Sequence, residues 1–130
     1  MVSSFSISLS GMNAAAKRVH VAASNIANSR NSIALADMAS DHANRPGVVH
    51  NMAVAGGGVR TVVMERDPPY AIEFAPGDAR ADGDGLVARP NTDLAMELVG
   101  MMQAENAYSA NAAALRTQDE MFGSLLDMKT

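Results

Sequence analysis

The sequence contains no cysteine and no tryptophan, and aromatic residues make up only 4% of its 130 positions. Without cysteine there can be no disulfide framework, no thiolate zinc site and no thiol catalysis. Hydrophobic residues reach 48% of the chain, but this share includes ten methionines and a large contribution from alanine. Because alanine buries little surface, the composition predicts a weak hydrophobic core for an isolated monomer.

Long apolar runs and an excess of basic charge are also missing. No stretch approaches the roughly 18 uncharged apolar residues that cross a bilayer, and residues 1–10 lack the basic start and apolar block of a cleaved secretory signal. The 14 acidic residues outnumber the 10 basic ones, for a net charge of −4, which argues against binding to nucleic-acid phosphates. We therefore predict no membrane insertion, no nucleic-acid partner and, if the protein is exported, no cleaved signal peptide.

Apolar and small residues near the N-terminus recur at alternating intervals of four and three. This spacing predicts a helix, from about residue 5 to residue 27, that packs lengthwise on another helix. Polar residues at positions 28–32 then predict the end of that helix. The positions of this N-terminal stripe are Phe5, Leu9, Met12, Ala16, Val19, Ala23 and Ile26.

Residues 91–130 predict a second, longer helix with a similar stripe. Asn91, Thr92 or Asp93 can cap it, and Asp93 and Glu97 place negative charge where the helix dipole favours it. About 36 helical residues make a rod of about 54 Å, longer than the roughly 36 Å diameter of a compact chain of this size. Its stripe must therefore be covered by something outside a compact domain. The stripe contains Leu94, Leu98, Met101, Tyr108, Ala112, Leu115, Phe122 and Leu126, and is interrupted by Glu105 and Asp119.

The middle of the chain predicts a small β-containing insert. Two β-branched runs flank the glycine tract at 56–58, which indicates a hairpin, and closely spaced prolines and glycines leave room only for short strands near residues 71–74 and 86–88. Residues 32–44 fit either a short helix or an ordered loop. The predicted fold is thus mainly α with a small β insert, divided into residues 1–31, 32–90 and 91–130, and its two terminal helices pair as a coiled coil.

The two predicted helical regions differ in charge. Basic residues outnumber acidic ones in residues 1–47, and acidic residues dominate residues 91–130. Opposite charge favours pairing of the first helix with the last, within one molecule or between neighbours, although the effect is small and depends on salt. The five methionines within residues 96–128 fit either ordinary core filling or an adaptable interface.

Few residues are arranged for chemistry. In a calcium loop aligned on residues 82–85, Arg80 and Asn91 would occupy the first and last positions, where a carboxylate and a bidentate glutamate are required. A tight turn is the better interpretation, and a small hydrolase that uses Asp78, Asp82 and Asp84 is kept only as an alternative hypothesis. The glycine tract lacks the lysine of a phosphate-binding loop, and the histidines lack metal-ligand spacing. We predict no enzyme activity, no metal and no cofactor.

Several motifs at the two ends resemble the bacterial flagellar rod and hook proteins. The N-terminal motifs are SGMNA at 10–14 and AASNIAN at 22–28, and the C-terminal ones are NTDL at 91–94, ELV at 97–99, MMQA at 101–104 and AYSAN at 107–111. The short length and ADGDGLV at 81–87, followed by PN at 90–91, are most similar to the proximal-rod members. Residues 29–45 lack the proline-and-tyrosine segment of the family, and Glu105 stands where a basic residue is common.

The resemblance implies a structural subunit of the flagellar basal body. It implies export through the flagellar type III apparatus without cleavage, assembly with copies of itself and other rod proteins, and a place in the rod that spans the periplasm. A cytoplasmic, chaperone-like module that clasps one partner helix remains the alternative. The predicted subunit interface consists of Leu9, Met12, Val19, Ile26, Leu94, Leu98, Met101, Tyr108, Leu115, Phe122 and Leu126.

Overall fold

Two long helices dominate the computed structural model, which describes residues 2–128. Helix α1 is Val2–Asn28 and helix α2 is Leu94–Asp127. Of the three possible caps, Asp93 serves α2, because its carboxylate accepts the backbone N–H groups of Ala95 and Met96 at 2.9 and 3.2 Å. Between the helices lie a 3₁₀ turn and four strands: Leu35–Asp37, then β1 (Gly47–Ala53), β2 (Val59–Glu65), β3 (Tyr70–Phe74) and β4 (Leu86–Pro90).

The two helices run antiparallel and contact each other along their length. At one end the rings of Phe5 and Phe122 stack with centroids 5.6 Å apart, and at the other Asn25 hydrogen-bonds Glu97. Most of the buried residues on the helices are small: Ser8, Ala14, Ala15, Ala22 and Ala104. The helices are therefore joined by small residues, which bring the two backbones close and bury little apolar area.

The first β-hairpin, β1–β2, lies against α1. Its strands pair antiparallel from Gly47 opposite Glu65 to Ala53 opposite Val59, and the backbone N–H of Val59 donates to Ser10 Oγ at 3.1 Å. Gly57 has φ of +98°, and a Cβ there would lie 2.7 Å from Ile7 Cδ1. Both the left-handed turn and the close approach to α1 therefore require glycine at this position.

The second β-hairpin, β3–β4, contributes to a small hydrophobic core in the part of the chain between the two helices. Ile33 exchanges two backbone hydrogen bonds with Ala88, which extends β4 on its other edge. Ile33, Tyr70 and Ala88 are buried together, with Met38 packed on them, and Val87 is fully buried. The short strands predicted near residues 71–74 and 86–88 correspond to β3 and β4, which are longer by one and two residues.

A loop before β1 is tied to both hairpins through Arg45. Its guanidinium donates to Glu65 Oε2 at 2.7 Å and to backbone carbonyls that include Asp41 O, and the Tyr70 hydroxyl donates to the same Asp41 carbonyl at 2.6 Å. The hydrogen bond from Arg45 lowers the pKa of Glu65, whereas burial raises the pKa of Tyr70. These contacts fix the middle region to a single arrangement.

The length of α2 is the feature that matters most for function. Its 34 residues extend for about 51 Å, longer than the roughly 36 Å diameter of a compact chain of this size. Within the described part of the chain, neither helix is both long enough and apolar enough to cross a bilayer.

Candidate assembly interface

One side of the helix pair carries an apolar hollow of about 570 Å³ near its middle. Val19 on α1 and Leu98, Met101 and Tyr108 on α2 line it, so that the two helices share its walls. Of these four side chains, Leu98 and Tyr108 are more than two-fifths exposed. The full lining is Ala15, Ala16, Val19, Leu98, Met101, Met102, Ala104, Glu105 and Tyr108.

A second hollow, of about 610 Å³, lies farther along the same helices. It is lined by Phe5, Ser6, Leu9, Leu115, Arg116 and Asp119. Its residues continue the spacing of four and three that the first hollow follows, and residues spaced in this way stay on one face of a helix. The two hollows therefore lie on the same side of the helix pair, and we call them together the open groove. Neither hollow contains a residue of β1 or β2.

Most of the predicted interface residues lie on this groove. Leu9, Val19, Leu98, Met101, Tyr108 and Leu115 line it directly, and the half-buried Met12 lies on the same stripe of α1. Phe122 stacks on Phe5 at the end of the groove. Ile26, Leu94 and Leu126 line neither hollow, and Leu126 is 70% exposed near the end of α2.

The alanine contact explains why these larger side chains remain open. Ala14, Ala22 and Ala104, rather than the predicted large residues, fill the buried space in the helix pair. Turning the small residues of α1 and Ala104 of α2 inward rotates the two apolar stripes to one side, because each stripe lies next to these residues on its helix. The predicted residues therefore lie beside the intramolecular contact rather than at its centre.

A cluster of polar side chains joins both helices to β1. Asn25 Nδ2 donates to Gly47 O at 2.9 Å and to Glu97 Oε1 at 3.0 Å, and Gly47 N–H donates to Asn25 Oδ1 at 2.9 Å. Arg66 Nη2 forms an ion pair with the same Glu97 oxygen at 2.7 Å, and only 11% of the Glu97 side chain is exposed. The cluster fixes the end of the helix pair relative to the first hairpin.

Sequence reasoning did not find this cluster. It placed Glu97 at the helix start for its effect on the dipole, whereas the structure also gives it two specific partners. The apolar stripe gave no signal for Asn25, because it precedes Ile26 and adjacent residues of a helix lie on different faces. Arg66 and Gly47 could not be found from the stripe either, because only the folded hairpin brings them to Asn25.

The acidic loop at 78–86 forms turns. Asp82 Oδ1 accepts the backbone N–H groups of Asp84 and Leu86 at 3.0 and 2.9 Å, and Asp78 Oδ1 accepts that of Arg80. A hydrogen bond from Ser32 lowers the pKa of Asp78. These bonds use the carboxylates to hold the loop in shape, and no metal-binding group of three or more acidic or histidine side chains occurs in residues 2–128.

Taken together, the long antiparallel helix pair and its open groove define a protein built for contacts along helices. Family models agree with this class at both ends of the chain. Residues 5–29 match the model described as flagella basal body rod protein, and residues 84–128 match the model described as flagellar basal body rod FlgEFG protein C-terminal.

Relatives of similar length make the assignment more specific. The chain is 36% identical over 120 residues to the flagellar basal-body rod protein FlgC of Escherichia coli O157:H7, with 90% of this chain and 89% of the relative covered. The FlgC protein of Salmonella typhimurium is 36% identical over 122 residues, with the same coverage, and that of Yersinia enterocolitica is 36% identical over 118 residues, with 87% and 86% covered. The chain belongs to the FlgC family of flagellar basal-body rod proteins, and it is a structural subunit of the rod.

Proposed function

We propose that this rod subunit assembles helically through the open groove, with copies of itself and with other rod proteins, in the proximal part of the rod. The observation that carries the proposal is the groove itself, two mainly apolar hollows on the same helix pair whose linings contain no residue of the β region. In this proposal, residues 1–31 and 91–130 form the axial core, pairing as in a coiled coil, and residues 32–90 lie outside it. We assign the chain no catalytic role.

The groove residues supply enough apolar surface for such an interface. Fully burying a side chain the size of leucine or methionine contributes about 1.5–3 kcal/mol, and Leu9, Leu98, Met102 and Tyr108 are all more than two-fifths exposed. Because each is about half exposed, covering all four would contribute about 3–6 kcal/mol, which is comparable with the lower estimates of the cost of association, about 4 kcal/mol. Because each subunit offers the same groove, many repeated contacts would add along a helical assembly.

The proposal extends to how the subunit reaches the rod. On the resemblance of its terminal motifs to the family, we propose export through the flagellar type III apparatus without cleavage, followed by assembly in the periplasm. Partner rod subunits above and below would cover the ends of the groove, where Phe122 and the exposed Leu126 lie. Ile26 and Leu94, near the other end of the helix pair, would take part in contacts of the same kind.

Substitution of a groove residue by aspartate tests the proposal. Val19→Asp or Leu115→Asp places a carboxylate where it reaches water in the monomer but becomes buried and unpaired in the assembly. We expect a folded subunit, no complete rods and no motility, observed by electron microscopy of basal bodies and by swimming assays. The matched control is Ala110→Asp, on an exposed part of α2 that lines neither hollow, and it is expected to assemble. Normal rods in either groove variant would refute the proposal.

Sedimentation of the purified chain separates assembly from clasping of a single helix. Mixed with other rod subunits, the chain is expected to form particles that grow with concentration, since an open contact does not close on itself. A stable complex of one copy with one partner, which no further copy can join, would contradict the proposal.

A further inference from the structure

Glu105 is an anomaly within the open groove. It occupies a position of the apolar stripe on α2 and shares the middle hollow with Val19, Leu98 and Tyr108. It is exposed, and none of the ion pairs and side-chain hydrogen bonds in the described residues involves it. Covering the groove with an apolar partner would bury this carboxylate alone, at a cost of several kcal/mol. The surface that covers it must therefore bring hydrogen-bond donors, and a cation supplies the strongest ones.

Among the described residues, the exposed cations that form no ion pair with a carboxylate are Lys17, Arg30, Arg60, Arg80 and Arg116. Arg45, Arg66 and Arg89 are already paired with carboxylates of the same chain. Arg18 is half-buried in a hollow beside β1. Lys17 is the exposed cation of α1, a helix with no acidic residue. It borders a hollow next to Gly47 and Val63 and forms no ion pair within the described residues.

The two helices also differ in overall charge. Helix α1 carries Lys17 and Arg18 and no acidic residue, whereas α2 contains five carboxylates and a single arginine. Two copies of α2 facing each other would repel, and α1 facing α2 attracts. Lys17 has short exposed neighbours, Asn13 on the preceding turn and Ser24 two turns on, which allow another helix to approach closely.

From these observations, and resting on the proposed function of the groove, we propose that Lys17 of a second copy of this chain pairs with Glu105. The exposed face of α1 in one copy covers the middle hollow of the next, so the contact joins different surfaces and leaves both ends free. Such a head-to-tail contact propagates into an open assembly. The Lys17–Glu105 pair sets which copy and which register the groove accepts.

Reversal of each charge tests the pair. Glu105→Lys and Lys17→Glu are each expected to lower the number of complete basal bodies per cell by about tenfold or more, since like charges at a covered contact cost at least 1.4 kcal/mol. The double variant restores the pair and is expected to restore assembly. Glu120→Lys makes the same charge change at an exposed site of α2 outside both hollows and serves as the matched control.

The outcomes separate this inference from the function on which it rests. Normal assembly of Glu105→Lys, together with failure of Val19→Asp, overturns the pairing and leaves the groove as the interface. Normal assembly of both variants overturns the groove as well. Failure of the double variant to recover overturns the pairing, provided that its circular dichroism matches that of the unchanged chain.

Cross-linking gives a second measurement if a charge variant does not fold. The chain has no cysteine, so one copy with Lys17→Cys and another with Glu105→Cys can be joined only at the chosen positions by a short bis-maleimide. In assembled rods we expect dimers from the mixture and none from either variant alone. Dimers of Glu105→Cys with itself, or no dimers in intact rods, would overturn the proposal.

Discussion

Helix propensity and the contact between α1 and α2 predict opposite effects of Gly11→Ala on stability. Glycine inside a helix costs about 1 kcal/mol relative to alanine, so the sequence predicts that Gly11→Ala stabilises α1. In the structure, a Cβ at this position would lie 2.6 Å from Asn111 Oδ1 and 2.8 Å from Asn111 Cγ. The side chain of Asn111 would have to move, and its hydrogen bond to Ala107 O at 2.7 Å would break.

The balance of these effects decides whether Gly11→Ala raises or lowers the free energy of unfolding. The gain in helix propensity of about 1 kcal/mol is offset by the lost hydrogen bond, about 1 kcal/mol, and by steric strain of about 1 kcal/mol or more. We therefore expect Gly11→Ala to lower the free energy of unfolding by about 1 kcal/mol or more. In an Asn111→Ala background the obstruction is gone, and the same change is expected to be stabilising by up to about 1 kcal/mol.

Thermal unfolding of the purified chain, followed by far-UV circular dichroism, measures both effects. Gly100 is the matched control, because it lies within α2 and a Cβ there would meet nothing within 4 Å. Gly100→Ala is expected to raise the melting temperature. If Gly11→Ala raised it equally with Asn111 present, the close approach of the two helices at this point would be wrong.

Three further results follow from the described contacts. Glu97→Ala leaves Asn25 and Arg66 without their shared acceptor. It is expected to lower the free energy of unfolding by about 2–3 kcal/mol and to speed hydrogen exchange in the first hairpin. Glu97→Gln keeps an acceptor for Asn25 and should lower it less. The hydrogen bond from Arg45 lowers the pKa of Glu65, so ionised Glu65 stabilises the folded chain. This contribution to the free energy of unfolding is complete above the ordinary pKa of glutamate, about 4.3. It is lost as the pH falls through the lower pKa of the folded state. An NMR titration with Arg45→Gln should move the midpoint back up, and an unchanged midpoint would contradict the pairing. Val87→Ala empties fully buried space and is expected to cost about 2 kcal/mol in urea unfolding, and a cost near zero would mean that this core is not packed as described.

Local sequence patterns predicted the helices and strands well because their signals are local. The spacing of apolar residues predicted α1 and α2 to within a few residues at each end, and Asp93 was among three proposed caps. The glycine tract predicted the turn of the first hairpin, because positive φ angles favour glycine and depend on the turn residues themselves. Spacing alone also placed Leu9 and Leu115 on the apolar stripes of their helices, and their role in a subunit interface stays a prediction.

Which faces of the helices meet was decided only by the tertiary structure. Beside its stripe of large apolar residues, α1 carries a row of small buried residues, and α2 carries the buried Ala104 beside its own stripe. Spacing cannot rank these faces. The first hairpin occupies one side of α1, the cluster around Asn25 fixes the end of the pair, and the small faces then pack closely at Ala14, Ala22 and Ala104. These contacts leave the large apolar residues outside, on the groove. They join residues far apart in the chain, so no local sequence pattern predicts them.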